Sequence, residues 1–363
     1  MEKLNAISRR HFIEKAAVSA GFTALGSEAV FGRSSDTTLG QTSGTDTTRG
    51  KSSGTDRLQE KLPREVWIAT VSQAGLSADT AAKMVQTVLE ICNRNMVDHP
   101  DIICLPEIFM FNYIRQRSTL EERVDISSEL VKEVMAFAKS NHCYMICPMI
   151  TRENGKIYNS AVVIDRQGVL IGEYRKMYLP FDELEAGFSA GTLQPPVFKT
   201  DFGTIGIQIC YDCNWQTGWQ SLQQQGAEIV FWPSAYPGGK VLNARAFENK
   251  FRVVTSTRGL SKICDLTGDV IAQTSSWDRN FICAPINFEK TFISVWPYIR
   301  HFNDIKAKYG RKVKITNYEE ENWTTIESLS PDVRVNDILK EFNILTFEQQ
   351  SSNAETLSNQ RRI

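Results

Sequence analysis

Two short patterns in this chain could carry a nucleophile. Gly187-Phe188-Ser189-Ala190-Gly191 fits the G-x-S-x-G turn of serine hydrolases, and Cys210-Tyr211-Asp212-Cys213 fits a C-x-x-C redox pair. The serine turn needs a buried strand before it and a helix after it, so that the strained backbone projects the hydroxyl. Here the preceding "FDELEA" is acidic, and Pro195-Pro196 in the following "TLQPPVF" stops a helix. A histidine partner would have to follow, and only His301 does. Ser189 is therefore not expected to attack anything. For Cys210 and Cys213 the spacing leaves two readings open, a thiol–disulfide pair or two buried cysteines at a strand end. Histidine is scarce: His99 precedes Pro100 in a loop and His142 ends a helix. A nucleophile in this chain would have to be served by a carboxylate or a lysine. H-E-x-x-H, paired-cysteine zinc spacing and the G-x-x-x-x-G-K-[ST] phosphate loop are missing, so neither a metal nor a cofactor is expected.

Any such group has to be positioned by the elements around it. The chain has 363 residues, 42% hydrophobic and 23% charged, which suits one large soluble domain with extensions or two small ones. Regular patterning begins near Glu65. "VWIATVSQA" reads as a strand, and "SADTAAKMVQTVLEICNRN" as a Ser-capped helix with Ala81, Met84, Val85, Val88 and Leu89 at helical spacing. "DIICLPE" and "YMICPMI" are short buried strands on either side of a second capped helix, "SSELVKEVMAFAKSN". Asn154-Gly155 and Arg166-Gln167-Gly168 mark hairpin turns. "TIGIQIC" is a strand ending at Cys210, followed by a helix in "NWQTGWQSLQQQG". "EIVFWPS" and "RVVTSTR" are strands around the helical "VLNARAFENKF", and "KICDLTGDVIAQ" and "NFICAPINF" close the pattern near Phe288. Helices alternating with buried strands and hairpins predict an α/β domain with a mixed sheet or paired sheets. Beyond it, "SPDVRVNDILKEF" predicts a helix capped by Ser330, with Pro331 in its first turn and Val335, Ile338, Leu339 and Phe342 on one face.

Three segments in order, "LPE" after a buried strand, "YRKMYLP" after a hairpin and "GIQICYD" at a strand end, resemble the signatures of the carbon–nitrogen hydrolase (nitrilase) superfamily. The linking "GKIYNSAVVIDRQGVLIGEYRK", "WPSA" at 232–235 and "RAFEN" at 245–249 are similar to that family's pattern too. The resemblance runs from about residue 65 to 288. It implies a four-layer αββα sandwich and a Glu-Lys-Cys triad on Glu107, Lys176 and Cys210. It also implies a second glutamate, best matched by Glu185 with Glu183 as the close alternative, and an oxyanion donor in the Tyr211 N–H. In that chemistry Glu107 takes the cysteine proton and later returns it to the departing nitrogen, and Lys176 supplies positive charge beside the oxyanion. Arg245 and Glu248 are expected in a structural polar network, with Glu248 able to brace the site. Tyr178 stands where the family usually has His, and Ala190 where it usually has Pro; both bear on the pocket. Tyr211-Asp212 after the cysteine is similar to amidases and carbamoyl hydrolases, whereas nitrilases tend to have Trp-Glu. The expected reaction is hydrolysis of a linear amide or N-carbamoyl group of a small molecule, ahead of a nitrile by the same triad. A redox protein using Cys210/Cys213 and a non-catalytic binder on the same scaffold are the other classes.

Net charge is −1, from 41 basic and 42 acidic residues without a basic stripe, which argues against a nucleic-acid partner. No apolar run reaches the length of a membrane span. "SRRHFIEKAAVSAGFTALGSEA" resembles a twin-arginine export signal, with Arg9-Arg10 as the pair, Phe12 two positions on, and Ser27-Glu28-Ala29 suiting cleavage. A periplasmic or secreted location follows. Such signals carry folded proteins, so the eight cysteines are expected mainly as packing residues. The expected organisation is the signal over 1–30, a disordered Ser/Thr/Gly-rich linker over 31–63 with "SGTD" twice, and the hydrolase domain over 64–288. A C-terminal extension over 289–349 would pack on the domain or on a dimer partner, and a disordered tail would follow over 350–363. The resemblance implies a homodimer or higher homo-oligomer.

Overall fold

The computed structural model describes residues 62–362. The export signal expected over 1–30 and nearly all of the linker expected over 31–63 lie outside these residues.

The first sheet is built from β1 (Glu65–Val71), β2 (Ile102–Cys104), β3 (Tyr144–Glu153), β4 (Lys156–Ile164) and β5 (Leu170–Arg175). The second contains β6 (Val197–Lys199), β7 (Thr204–Ile207), β8 (Ile229–Ser234), β9 (Arg252–Thr257), β10 (Lys262–Cys264) and β11 (Val270–Gln273), in the order β11-β10-β9-β8-β7-β6. β12 (Phe281–Asn287) then returns to the first sheet, giving β12-β1-β2-β3-β4-β5. Period-two alternation explains the layering. Val66, Ile68, Ile102, Ile146, Val163 and Tyr174 of one sheet meet Ile205, Ile207, Ile229, Phe231 and Val254 of the other in a shared core. The alternate residues face outward under helices. α1 (Ala81–Arg94) and α2 (Leu120–Asn141) cover Ile103, Met145 and Val162. After the short α3 (Phe181–Glu185), α4 (Gln216–Gln224) and α5 (Lys240–Asn249) cover Val230, Trp232 and Val253. With both faces of the central strands of both sheets buried, this part of the chain is the expected αββα sandwich. Each fully buried aliphatic side chain in these layers stabilises it by about 1.5–3 kcal/mol.

The sheets are joined by hydrogen bonds at one end. The Thr70 hydroxyl donates to the Thr255 carbonyl at 2.7 Å, and the Ser256 hydroxyl lies 2.8 Å from the Val71 carbonyl and 2.9 Å from that of Cys104. This is where the parallel strands β1, β2, β7, β8 and β9 finish. Helix starts differ from the sequence expectation. α1 is capped by Thr80 rather than Ser77, and α2 begins at Leu120 behind a reciprocal Thr119–Glu122 capping box.

The extension folds as an antiparallel sheet of β13 (Lys290–Ser294), β14 (Val313–Tyr318) and β15 (Trp323–Ser328), ordered β13-β15-β14, with α6 (Ile299–Tyr309) and α7 (Val335–Glu341) against it. α7 starts at Val335, not at Ser330. The Glu289 carboxylate accepts the Val335 N–H at 2.8 Å, while the Ser330 hydroxyl turns to Asp332. The tail beyond Gln349, expected to be disordered, is instead part of helix α8 (Phe347–Gln360). A Thr346–Gln349 capping box starts it, and Phe347 lies 4.5 Å from the Trp323 ring. The extension grips the hydrolase domain around Lys250, the left-handed residue ending α5. Its ammonium lies 3.4 Å from the Trp323 ring centre, with Phe247, Phe292 and Phe347 completing a cage. Among the described residues no helix is long and apolar enough to cross a membrane.

Candidate active site

At the joined end the inter-sheet core turns polar. Glu107 follows β2 by way of Leu105-Pro106 and is buried. Its loop is pinned by Asn112, whose amide donates to the Glu107 carbonyl at 2.9 Å and to Gln73 Oε1 at 2.7 Å. Lys176 follows β5 two residues after Tyr174, which puts both side chains on the face toward the second sheet. Asn159 of β4 lies on that face as well, and its carbonyl accepts the Lys176 N–H at 2.9 Å.

The lysine ammonium is enclosed, with 0% side-chain exposure, and bridges two carboxylates. Nζ lies 2.9 Å from Glu107 Oε1 and 2.6 Å from Glu183 Oε1. Asn159 Nδ2 donates to Glu107 Oε1 at 2.9 Å and reaches Glu183 at 3.4 Å. Burial alone would lower the lysine pKa; Glu107 leads the charges that raise it instead, with Cys210 and Glu183 behind. Burial also raises the Glu183 carboxyl, opposed chiefly by Lys176. Of the two glutamates weighed from the sequence, Glu183, the alternative, and not Glu185 contacts Lys176. Two residues along α3 is more than half a turn, so Glu185 faces away and is exposed.

Cys210 begins a 3-10 turn, Cys210–Asn214, at the end of the β7 run. Its backbone is left-handed, with φ of 47°, a conformation unfavourable for any residue with a Cβ. Trp232 Nε1 donates to its carbonyl at 3.0 Å. The thiol is buried, with Ser234 and Ala235 at the end of β8 among the groups that favour its ionised form. Burial first and Glu107 second push it up to about 12, against the pull of Lys176. Burial and Glu107 thus favour the protonated thiol over the thiolate at this position. The Tyr211 N–H belongs to the first residues of a helical turn, which have no acceptor within the turn itself, so it is available to a ligand oxygen. The Tyr211 ring is exposed and packs edge-on to Trp215, on whose other contact Tyr178 stacks at 4.0 Å.

The remaining candidates support this frame. Arg245 of α5 donates to the Cys213 carbonyl at 3.0 Å and pairs with Glu248 at 3.0 Å, so Glu248 is linked to the Cys210–Asn214 turn through Arg245. Cys213 belongs to the core behind the second sheet, with its sulfur 3.1 Å from the Tyr236 hydroxyl, whereas Cys210 belongs to the core between the sheets. Ser189 lies in a crossing segment beside the lysine. Its N–H donates to the Ile157 carbonyl at 2.7 Å, and the Gly191 N–H donates to the Lys176 carbonyl at 2.8 Å. A Cβ on Gly191 would run into the Arg175 carbonyl, and Gly187 has φ of +99°. The glycines serve the close approach. Asn159 does not stand out in the sequence, although an Asn inside the apolar run of β4 is a signal that could have found it; Asp212 stands out there only as part of the Tyr211-Asp212 signature, not for its contacts.

The family model for carbon–nitrogen hydrolases matches residues 68–291. A β-ureidopropionase of Arabidopsis thaliana is 32% identical over 148 residues, 38% of this chain and 36% of that protein. A nitrilase and fragile histidine triad fusion protein of Drosophila melanogaster is 28% identical over 281 residues, 69% of this chain and 60% of that protein. The chain thus spans less than two thirds of the length of either. A deaminated glutathione amidase of Synechocystis is 29% identical over 220 residues, 52% of this chain and 80% of that protein. Among solved structures, a carbon–nitrogen hydrolase from Helicobacter pylori G27 superposes with a TM-score of 0.58 at 19% identity, covering 67% of this chain and 98% of that one. An amidase from Nesterenkonia sp. does so with a TM-score of 0.56 at 18% identity, covering 63% and 92%. At these identities the superpositions speak for the fold.

Proposed function

The chain belongs to the carbon–nitrogen hydrolase family, and on that premise we propose that it hydrolyses a linear amide or N-carbamoyl group through an acyl intermediate on Cys210. The observation that carries the reading is the enclosed Lys176 ammonium bridging Glu107 and Glu183 beside a cysteine held in a left-handed turn. Glu107 accepts the thiol proton as Sγ adds to the carbonyl carbon. Lys176 and the Tyr211 N–H stabilise the oxyanion; losing one such donor typically costs about 3–4 kcal/mol of transition-state stabilisation. Glu107 then protonates the nitrogen, the C–N bond breaks, and ammonia or an amine leaves a thioester. Water, deprotonated by Glu107, attacks the thioester, and the thiol recovers its proton as the acid departs. No histidine is needed.

Tyr211-Asp212 after the nucleophile favours amide or carbamoyl substrates over nitriles; the relatives include a β-ureidopropionase, a deaminated glutathione amidase and a nitrilase, so they leave that choice to the assay. The separate environments of Cys210 and Cys213 weigh against a redox pair. Arg9-Arg10 supports export by the twin-arginine route to the periplasm or beyond, and the family resemblance supports a homodimer. Incubation with a panel of amides, ureides and nitriles should release ammonia, and intact-mass spectrometry should find an acyl adduct on Cys210. Full activity in Cys210→Ala would overturn the reading.

A further inference from the structure

We propose that Asp212 is a positioning residue whose carboxylate clamps the nucleophile's turn to the lysine-bearing strand. This rests on the hydrolytic reading of the same site. Lys176 and Cys210 arrive from different sheets, so no strand ladder sets the separation between them. Asp212 supplies the missing connection. Oδ1 accepts the Tyr178 N–H at 2.7 Å; Oδ2 accepts the Ile209 N–H at 2.9 Å and the Tyr174 hydroxyl at 2.6 Å. Tyr174 and Tyr178 stand two residues to either side of Lys176, and Ile209 and Asp212 enclose Cys210. One carboxylate, fully buried, therefore holds the chain on both sides of both groups.

Every partner is a donor: two N–H groups that cannot turn, and a hydroxyl that itself accepts from Gln208 Nε2 at 3.1 Å. A carboxylate satisfies all three. An acid or an amide would turn a hydrogen toward one of them, and a buried mismatch of that kind is expensive. The titratable groups facing Asp212 are Tyr174, Tyr178 and Lys176 from the β5 side and Cys213 on its own turn. Burial raises the Asp212 pKa to about 7, with the Tyr174 hydroxyl the strongest of the influences holding it down, ahead of the two N–H groups and Lys176. As pH falls through about 7 the clamp gains a proton and loses an accepted bond, so the site should tighten as pH rises through that value.

The test reads Cys210 directly, by its rate of alkylation with iodoacetamide between pH 5 and 9, followed by intact mass, alongside amide hydrolysis. In the wild-type protein log rate should climb with a slope near two below about pH 7, where thiol and clamp must both lose a proton, and near one above it. Asp212→Asn should show a slope of one throughout, a rate at pH 8 at least ten-fold lower, and KM for the amide within about two-fold. Tyr174→Phe loses the strongest of the bonds that favour the carboxylate, so its break should move to higher pH; it decides the matter alone if Asp212→Asn does not fold. A break unchanged in the folded variants, or a wild-type rate in Asp212→Asn, overturns the clamp. If the break moves as expected but no amide is hydrolysed by the wild-type protein, the hydrolytic reading fails and the clamp stands.

Discussion

Replacing Glu183 with glutamine removes one of the two negative charges on Lys176 and keeps the side chain's volume. The Nζ–Oε1 contact is 2.6 Å, the lysine side chain is 0% exposed and that of Glu183 only 18%, so solvent screens the pair little. A charge-assisted hydrogen bond in such a place contributes about 1.5–3 kcal/mol. Glu107 still holds the ammonium at 2.9 Å, so the lysine stays charged and the protein should fold. What is lost is its fixed direction. The positive charge is needed most when the oxyanion forms, so the loss should fall on kcat rather than KM. At about 1.4 kcal/mol per factor of ten, Glu183→Gln should lower kcat about 10- to 100-fold. Glu185→Gln changes an exposed side chain and should stay within about two-fold. Ammonia release measured over a range of amide concentrations separates kcat from KM. Wild-type kcat in Glu183→Gln, or an equal loss in Glu185→Gln, would refute the assignment of the second carboxylate.

With its thiol pushed up to about 12, Cys210 should add no thiolate absorbance at 240 nm between pH 6 and 9; the difference spectrum against Cys210→Ala measures this. Cys213→Ser should keep amide hydrolysis within a few-fold, since that sulfur belongs to the core behind the second sheet, while Cys210→Ala should lose at least a thousand-fold with its circular dichroism unchanged. Gly191→Ala, which sets a Cβ against the Arg175 carbonyl, should depress kcat and lower Tm, whereas Ser189→Ala should match the wild-type protein in both. Trp323→Ala removes the ring nearest Lys250, so it should destabilise the protein by about 3–5 kcal/mol in urea titration and speed proteolysis within 289–362.

The sandwich was legible because its strands are short, apolar on both faces and separated by helical spacing or strong turns. Ile205 and Ile207 read the same way in sequence and in space. The resemblance of three ordered segments to the carbon–nitrogen hydrolases brought out Glu107, Lys176 and Cys210, which the structure gathers at one end of the two sheets. The choice between Glu183 and Glu185 was not legible, since it depends on the rotation of a helix of a single turn with no apolar stripe to set its phase. The contacts of Asp212 were hidden for another reason: its partners are two backbone N–H groups and a tyrosine 38 residues away, and none leaves a local pattern. α7 was misplaced at its start because a carboxylate from Glu289 replaces the local cap. The tail was misread because its composition is polar, although Thr346-x-x-Gln349 carried a helix start in plain sight.

With Cys210 as the proposed nucleophile, its left-handed backbone sets stability against activity at a single position. That conformation costs a residue with a Cβ about 1–2 kcal/mol and costs glycine almost nothing. A chain shaped for robustness alone would have glycine or asparagine there and would abandon the chemistry. Screens that reward only expression or melting temperature should therefore drift toward a sturdier protein without a nucleophile. Engineering of this scaffold needs a catalytic readout from its first round.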